Sequence, residues 1–136
     1  VIKGEFPLFV RISATDWVKG GWTDEDSVLL SKVLKTEGVD LIDCSSGGLS
    51  PEQKIPVKPL YQVPFAEKIK IEAGILTGAV GLITSAKEAE SILQNKQADL
   101  IIMARQLLRE PYFALHAAKE LGVDMEWPVQ YERAKR

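Results

Sequence analysis

The residues with the clearest chemical potential are small ones followed by an arginine. Leu76 to Gly81 reads Leu-Thr-Gly-Ala-Val-Gly, and Ala98 to Arg105 reads Ala-Asp-Leu-Ile-Ile-Met-Ala-Arg. Each is an apolar run of strand length that ends on small residues, and a polar segment of helix length separates them. Small residues just past a strand let backbone N–H groups reach a bound anion, because no side chain stands in the way. Arg105, directly after Ala104, adds a fixed positive charge beside those amides. The chemistry this predicts is a phosphate cradle.

Three further residues carry chemistry in principle. Arg11 interrupts the apolar run Pro7 to Ser13. It reads either as a strand-end arginine that reaches solvent or pairs with a neighbouring carboxylate, or as a ligand-facing cation at the mouth of a barrel. Cys44 reads as a small buried residue, since no histidine or basic cluster lies near it in sequence to lower its pKa. His116, the single histidine, falls inside an amphipathic segment and reads as a surface or packing residue.

The elements that must position these residues follow from patterning. Pro7 to Ser13 and Val39 to Cys44 are predicted strands, the first reading as covered on both faces. A loop with Trp17 and Trp22 separates the first strand from a helix capped by Thr23 that ends near Gly38. The tryptophans are expected either to line a pocket or to pack over the rim. Leu49 to Tyr61, with Pro51, Pro56 and Pro59, reads as an extended loop suited to a lid or binding role. Val63 to Ala73 resumes a helical pattern, a short helix is expected at Gln106 to Leu108, and Tyr112 to Leu121 is an amphipathic helix stopped at Gly122. Four β-α units in succession imply parallel strands with right-handed crossovers, either an open α/β sheet or half of a TIM (β/α)8 barrel. In that barrel, phosphate sites form from the loops after strands 7 and 8 and a short extra helix, so the half-barrel reading makes these strands 5 to 8.

Composition bounds the partners. Lys and Arg number 17 against 19 Asp and Glu, a formal charge of -2. No broad basic field is available to attract nucleic acid. One cysteine builds neither an internal disulfide nor a zinc site and fits a reducing, cytoplasmic setting. The apolar runs fall short of a membrane span, and no signal-peptide pattern opens the chain. The absence of an initial methionine, with a strand starting within about ten residues, suggests that residue 1 is not a natural start.

The pieces FVRISATDW, GVDLIDCSSGG, YQVPFAEKIK, TGAVGLIT, ADLIIMARQLLREPYFA and WPVQYERA, in this order, resemble the C-terminal half of the old yellow enzyme family, in its bacterial NADPH dehydrogenase branch. The resemblance covers essentially the whole chain, residues 1–136. It implies FMN at the C-terminal mouth of a TIM barrel, reduced by NADPH or NADH and reoxidised by a small activated alkene such as an enone. By position, Arg11 matches the arginine beside the pyrimidine edge of the flavin. Gly81, Ala104 and Arg105 match the residues that hold the FMN phosphate, although the family more often has glycine where Ala104 stands. Tyr61 and Gln62 match a loop near the pocket and are assigned no catalytic role. The tail, residues 124–136, matches a segment that reaches a neighbouring subunit in a homo-oligomer and places an arginine, here Arg133, in its active site.

The family's active-site cysteine and tyrosine, its strand-3 glutamine and its paired histidines belong to the N-terminal half, and none matches a residue of this sequence. The segment is therefore expected to carry the phosphate grip and one flavin-tuning arginine, to need the N-terminal half as partner, and to be inactive alone. Two other readings share the residues: a non-catalytic half-barrel that dimerises and binds phosphate or serves as a scaffold, and a phosphosugar enzyme on the same fold.

Overall fold

The computed structural model describes residues 6–135. Val1 and Arg136, the predicted unnatural start and the last tail residue, lie outside them. Four strands, β1 (Phe9–Ser13), β2 (Leu41–Ser45), β3 (Leu76–Ala79) and β4 (Leu100–Ile101), form one sheet in the order β1-β2-β3-β4. Every pairing is parallel. Helices α1 (Asp24–Thr36), α2 (Val63–Ala73) and α3 (Ala86–Gln94) are the crossovers, and α4 (Arg105–Arg109) and α5 (Phe113–Glu120) follow the last strand. Strand order that never reverses is what a half-barrel requires, whereas a doubly wound sheet switches direction.

Local chemistry explains the helix starts. Thr23 and Asp26 form a reciprocal capping box on α1, and Ser85 and Glu88 do the same on α3. Gly74 in the left-handed conformation closes α2. Lys68 ties α2 to α1 by bonding Asp24 at 2.7 Å and Glu25 at 2.6 Å. Those hydrogen bonds hold the Glu25 carboxyl down at about 2, with Lys68 the largest cause.

Packing is heavier on one face of the sheet, although Leu41, in the row of Phe9 and Leu76 on the other face, is also buried, 1% exposed. Val10 and Ile12 of β1, Ile42 and Cys44 of β2 and Ala79 of β3 join Val28 of α1, Ile69 of α2 and Ile92 of α3 in one core. Alternation sends Phe9, Arg11, Asp43 and Gly78 to the other face. There Phe9, Leu76 and Leu100 are about half exposed, at 52%, 53% and 42%. The apolar run of β1 that reads as covered on both faces is thus covered on one. β4 is shorter than its sequence pattern predicts; Ile102 still donates to the Ala79 carbonyl, but no described strand pairs with the outer side of β4. No helix among the described residues is long and apolar enough to cross a membrane.

Candidate functional site: an anion cleft at the strand ends

At the C-terminal ends of β2, β3 and β4 a cleft of about 200 Å³ opens. Gly81, Ala104 and Arg105 all line it, so the three residues predicted for phosphate are brought together from segments more than twenty positions apart. Arg109, one turn further along α4, adds a second cation that the sequence reading missed. Its signal was available: on a helix that begins at Arg105, a residue four positions on shares the same face. Ser45, Gln62 and Thr84 contribute polar groups, and none of the lining residues is a carboxylate. The donor set suits an anion.

The backbone of the turn after β3 borders the same cleft. Gly81 adopts φ +131° and Leu82 φ +53°. A Cβ at Gly81 would press on the Gln62 side chain at 3.0–3.2 Å, so both conformation and space demand glycine here. Among the described residues, the N–H groups of Gly81, Leu82 and Ile83 donate no hydrogen bond. Consecutive free amides in a turn of this kind form an anion-binding concavity. Ala104, which leads into α4, has φ -118° and ψ -83°.

Gln62 is the polar residue whose role the sequence hid. It is 3% exposed. Its Nε2 donates to the Val80 carbonyl at 3.0 Å, and its Oε1 accepts from Ser46 Oγ at 2.7 Å. Although it precedes α2, it makes no side-chain cap, because both ends of the amide are engaged elsewhere.

Arg11 stands outside the cleft, on the open face of the sheet. Its Nε donates to Asp43 Oδ2 at 2.6 Å, the carboxylate directly beside it in the strand register. The neighbouring-carboxylate pairing thus occurs, with the guanidinium on the face that a barrel would enclose. Its side chain is 57% exposed, while Asp43 is largely covered and its Oδ1 has no hydrogen-bond partner. Arg11, Asp43 and Gly78 lie in one row across β1, β2 and β3.

The remaining candidates are accounted for structurally. Cys44 is fully buried, and burial, with the Asp43 charge second, pushes its thiol up to about 12, far from a reactive thiolate. His116 Nδ1 meets Glu110 Oε1 at 2.6 Å on the surface of α5, away from the cleft. Trp22 bonds Ser27 and Trp17 bonds Ser46; Trp17 lies edge-on to Phe65 and with it lines a second cavity beside Pro56, Pro59 and Pro64. The 49–61 loop folds back on the β1-α1 loop through Lys54 N–H to the Trp17 carbonyl. The tail forms a 3-10 turn, Val129–Ala134, on which Tyr131 meets Tyr112 edge-on and beyond which Lys135 pairs with Asp124. Arg133 is in that turn and not in the cleft.

Comparison with known proteins follows the same lines. Residues 1–124 match the NADH:flavin oxidoreductase / NADH oxidase family. The chain is similar to an NADPH dehydrogenase of Halalkalibacterium halodurans, 58% identical over 128 residues, covering 94% of this chain and 38% of the relative. It is equally similar to an NADPH dehydrogenase of Geobacillus thermodenitrificans, 58% identical over 130 residues, covering 96% of this chain and 38% of the relative. The chain thus spans well under half the length of these relatives.

Proposed function

Because the chain belongs to the NADH:flavin oxidoreductase / NADH oxidase family, we propose that it is the phosphate-gripping portion of an FMN-dependent NAD(P)H oxidoreductase. The four strands correspond to strands 5 to 8 of a TIM barrel whose earlier strands cover the open sheet face. The observation that carries this reading is the convergence of Gly81, Ala104 and Arg105 on one carboxylate-free cleft.

The residues present fit FMN. Arg105 and Arg109 offer charge to a phosphate dianion, and the free N–H groups of residues 81–83 offer directed donors. Arg11 lies two strand spacings from Gly78, about 10 Å at the usual inter-strand distance. A ribityl chain with phosphate at one end and ring at the other spans such a gap. The flavin supplies hydride acceptance from NADPH or NADH and hydride delivery to an activated alkene such as an enone. This chain's part is to anchor the phosphate and to set a guanidinium, already oriented by Asp43, against the ring's electron-rich edge.

The whole enzyme is proposed to be a cytoplasmic homo-oligomer in which the tail reaches a neighbouring subunit and Arg133 enters its substrate pocket. The experiment is a flavin titration of the intact protein containing this segment. Wild type should bind FMN and turn yellow, and Arg105→Ala should weaken binding by about 2 kcal/mol, the usual worth of a charge-assisted contact. Unchanged affinity would refute the phosphate assignment.

A further inference from the structure

We propose that Gln62 is the positioning residue of the anion-binding turn: its buried amide holds residues 80–82 in the conformation that recognises phosphate, without itself being the anion's charged partner. The inference rests on the phosphate reading above and adds to it the element that makes the turn competent.

The turn is a costly piece of backbone. Leu82 has φ +53°, a region that side chains other than glycine enter at a penalty and keep only when their surroundings impose it. Two bonds hold the two successive peptides that lead into it. Gln62 Nε2 donates to the Val80 carbonyl at 3.0 Å, and the Leu60 N–H donates to the Gly81 carbonyl at 3.1 Å. A planar trans peptide sets its N–H opposite its C=O. Tying these two successive carbonyls to the 60–62 segment therefore turns the N–H groups of Gly81 and Leu82 away from that segment. Those are groups left without an internal acceptor among the described residues.

The amide is held in one orientation. Trp17 Nε1 donates to Ser46 Oγ at 3.0 Å, and Ser46 Oγ donates its single proton to Gln62 Oε1 at 2.7 Å. A flipped amide would set a donor against the hydroxyl's proton and an oxygen against the Val80 carbonyl. Gly81 closes the arrangement, because a Cβ there would press on Gln62 Nε2, Cβ and Cγ. The loops after β1, β2 and β3 thus converge through Trp17, Ser46 and Gln62 on one turn, and the rigidity of that turn is a property of all three.

The consequence is specific to phosphate. A brace on the 80–82 backbone matters to a ligand that uses those amides and not to one that lacks the phosphate. In the intact apoprotein containing this segment, FMN and riboflavin affinities are compared by quenching of flavin fluorescence. Gln62→Met, which keeps the length and loses both polar contacts, is expected to weaken FMN about tenfold and leave riboflavin unchanged. Ser46→Ala, which frees the amide to turn, gives a smaller loss in the same sense and carries the test should Gln62→Met not fold. Equal losses for both flavins, as a merely structural role would produce, or no loss for either, overturn the proposal. Arg105→Ala separates the two readings. A loss of FMN preference there with none in Gln62→Met or Ser46→Ala refutes the role of Gln62 alone. No loss in Arg105→Ala refutes the phosphate site itself.

Discussion

Arg11 and Asp43 form a pair whose two members should act on a bound flavin with opposite sign. A guanidinium beside a ring that gains negative charge stabilises the reduced state, and a carboxylate beside the guanidinium offsets part of that effect. Arg11→Ala should therefore make the flavin midpoint potential more negative. Asp43→Asn should make it more positive, since Arg11 loses its 2.6 Å counter-charge. A change of about 1.4 kcal/mol corresponds to about 30 mV for a two-electron couple, a shift that redox titration resolves. Potentials that stay put in both variants would remove Arg11 from the flavin's surroundings. Cys44, a neighbour of Asp43 in sequence, takes no part, because its buried thiol stays protonated throughout the neutral range.

At the scale of elements, α3 presents the clearest test of local stability. Its capping box, Ser85 with Glu88, lies directly after the turn that follows β3. The Glu88 carboxylate accepts from the Thr84 N–H at 2.9 Å and the Ser85 N–H at 3.1 Å. These bonds, with the Thr84 backbone first, hold its pKa below the ordinary carboxylate value. A carboxylate depressed in the native state stabilises fully above its ordinary pKa, and the contribution is lost as pH falls through the lower native value. Ser85→Ala should cost about 1 kcal/mol in urea unfolding at neutral pH. Glu88→Gln should also destabilise at neutral pH, and its difference from wild type should shrink as the solution is acidified. A difference that does not change with pH would show that the charge of Glu88 is idle.

For the molecule as a whole, the decisive feature is the partly uncovered sheet face. Phe9, Leu76 and Leu100 each leave roughly half their surface to solvent, and β1 and β4 are both edge strands. Exposed apolar strands with unpaired backbone associate with whatever completes them. The 136-residue chain by itself should therefore self-associate, and sedimentation should find little monomer. It should also fail to oxidise NADPH in the presence of FMN and cyclohexenone, since it carries no paired histidines to polarise an enone carbonyl. Steady oxidation dependent on the enone would show that the catalytic groups lie within this segment after all.

The order and type of the elements were legible because their determinants are local: period-two and helical patterning, Thr23 as a cap, Gly38 and Gly122 as stops. That Gly81, Ala104 and Arg105 meet at one end of the sheet was also legible, since residues just past parallel strands fall together there wherever the strands run. Arg109 and Gln62 were not. Arg109 belongs to the cleft only because α4 begins at Arg105 and turns that face inward, and Gln62 becomes a brace only when the loop before α2 folds against the turn after β3, eighteen residues later. The pairing of Arg11 with Asp43, left open as one of two readings by the sequence, was decided by strand register, which sets the two side by side on the open face. Sequence determines what depends on neighbours along the chain, and the tertiary structure alone decided which distant groups share a hydrogen bond or a wall.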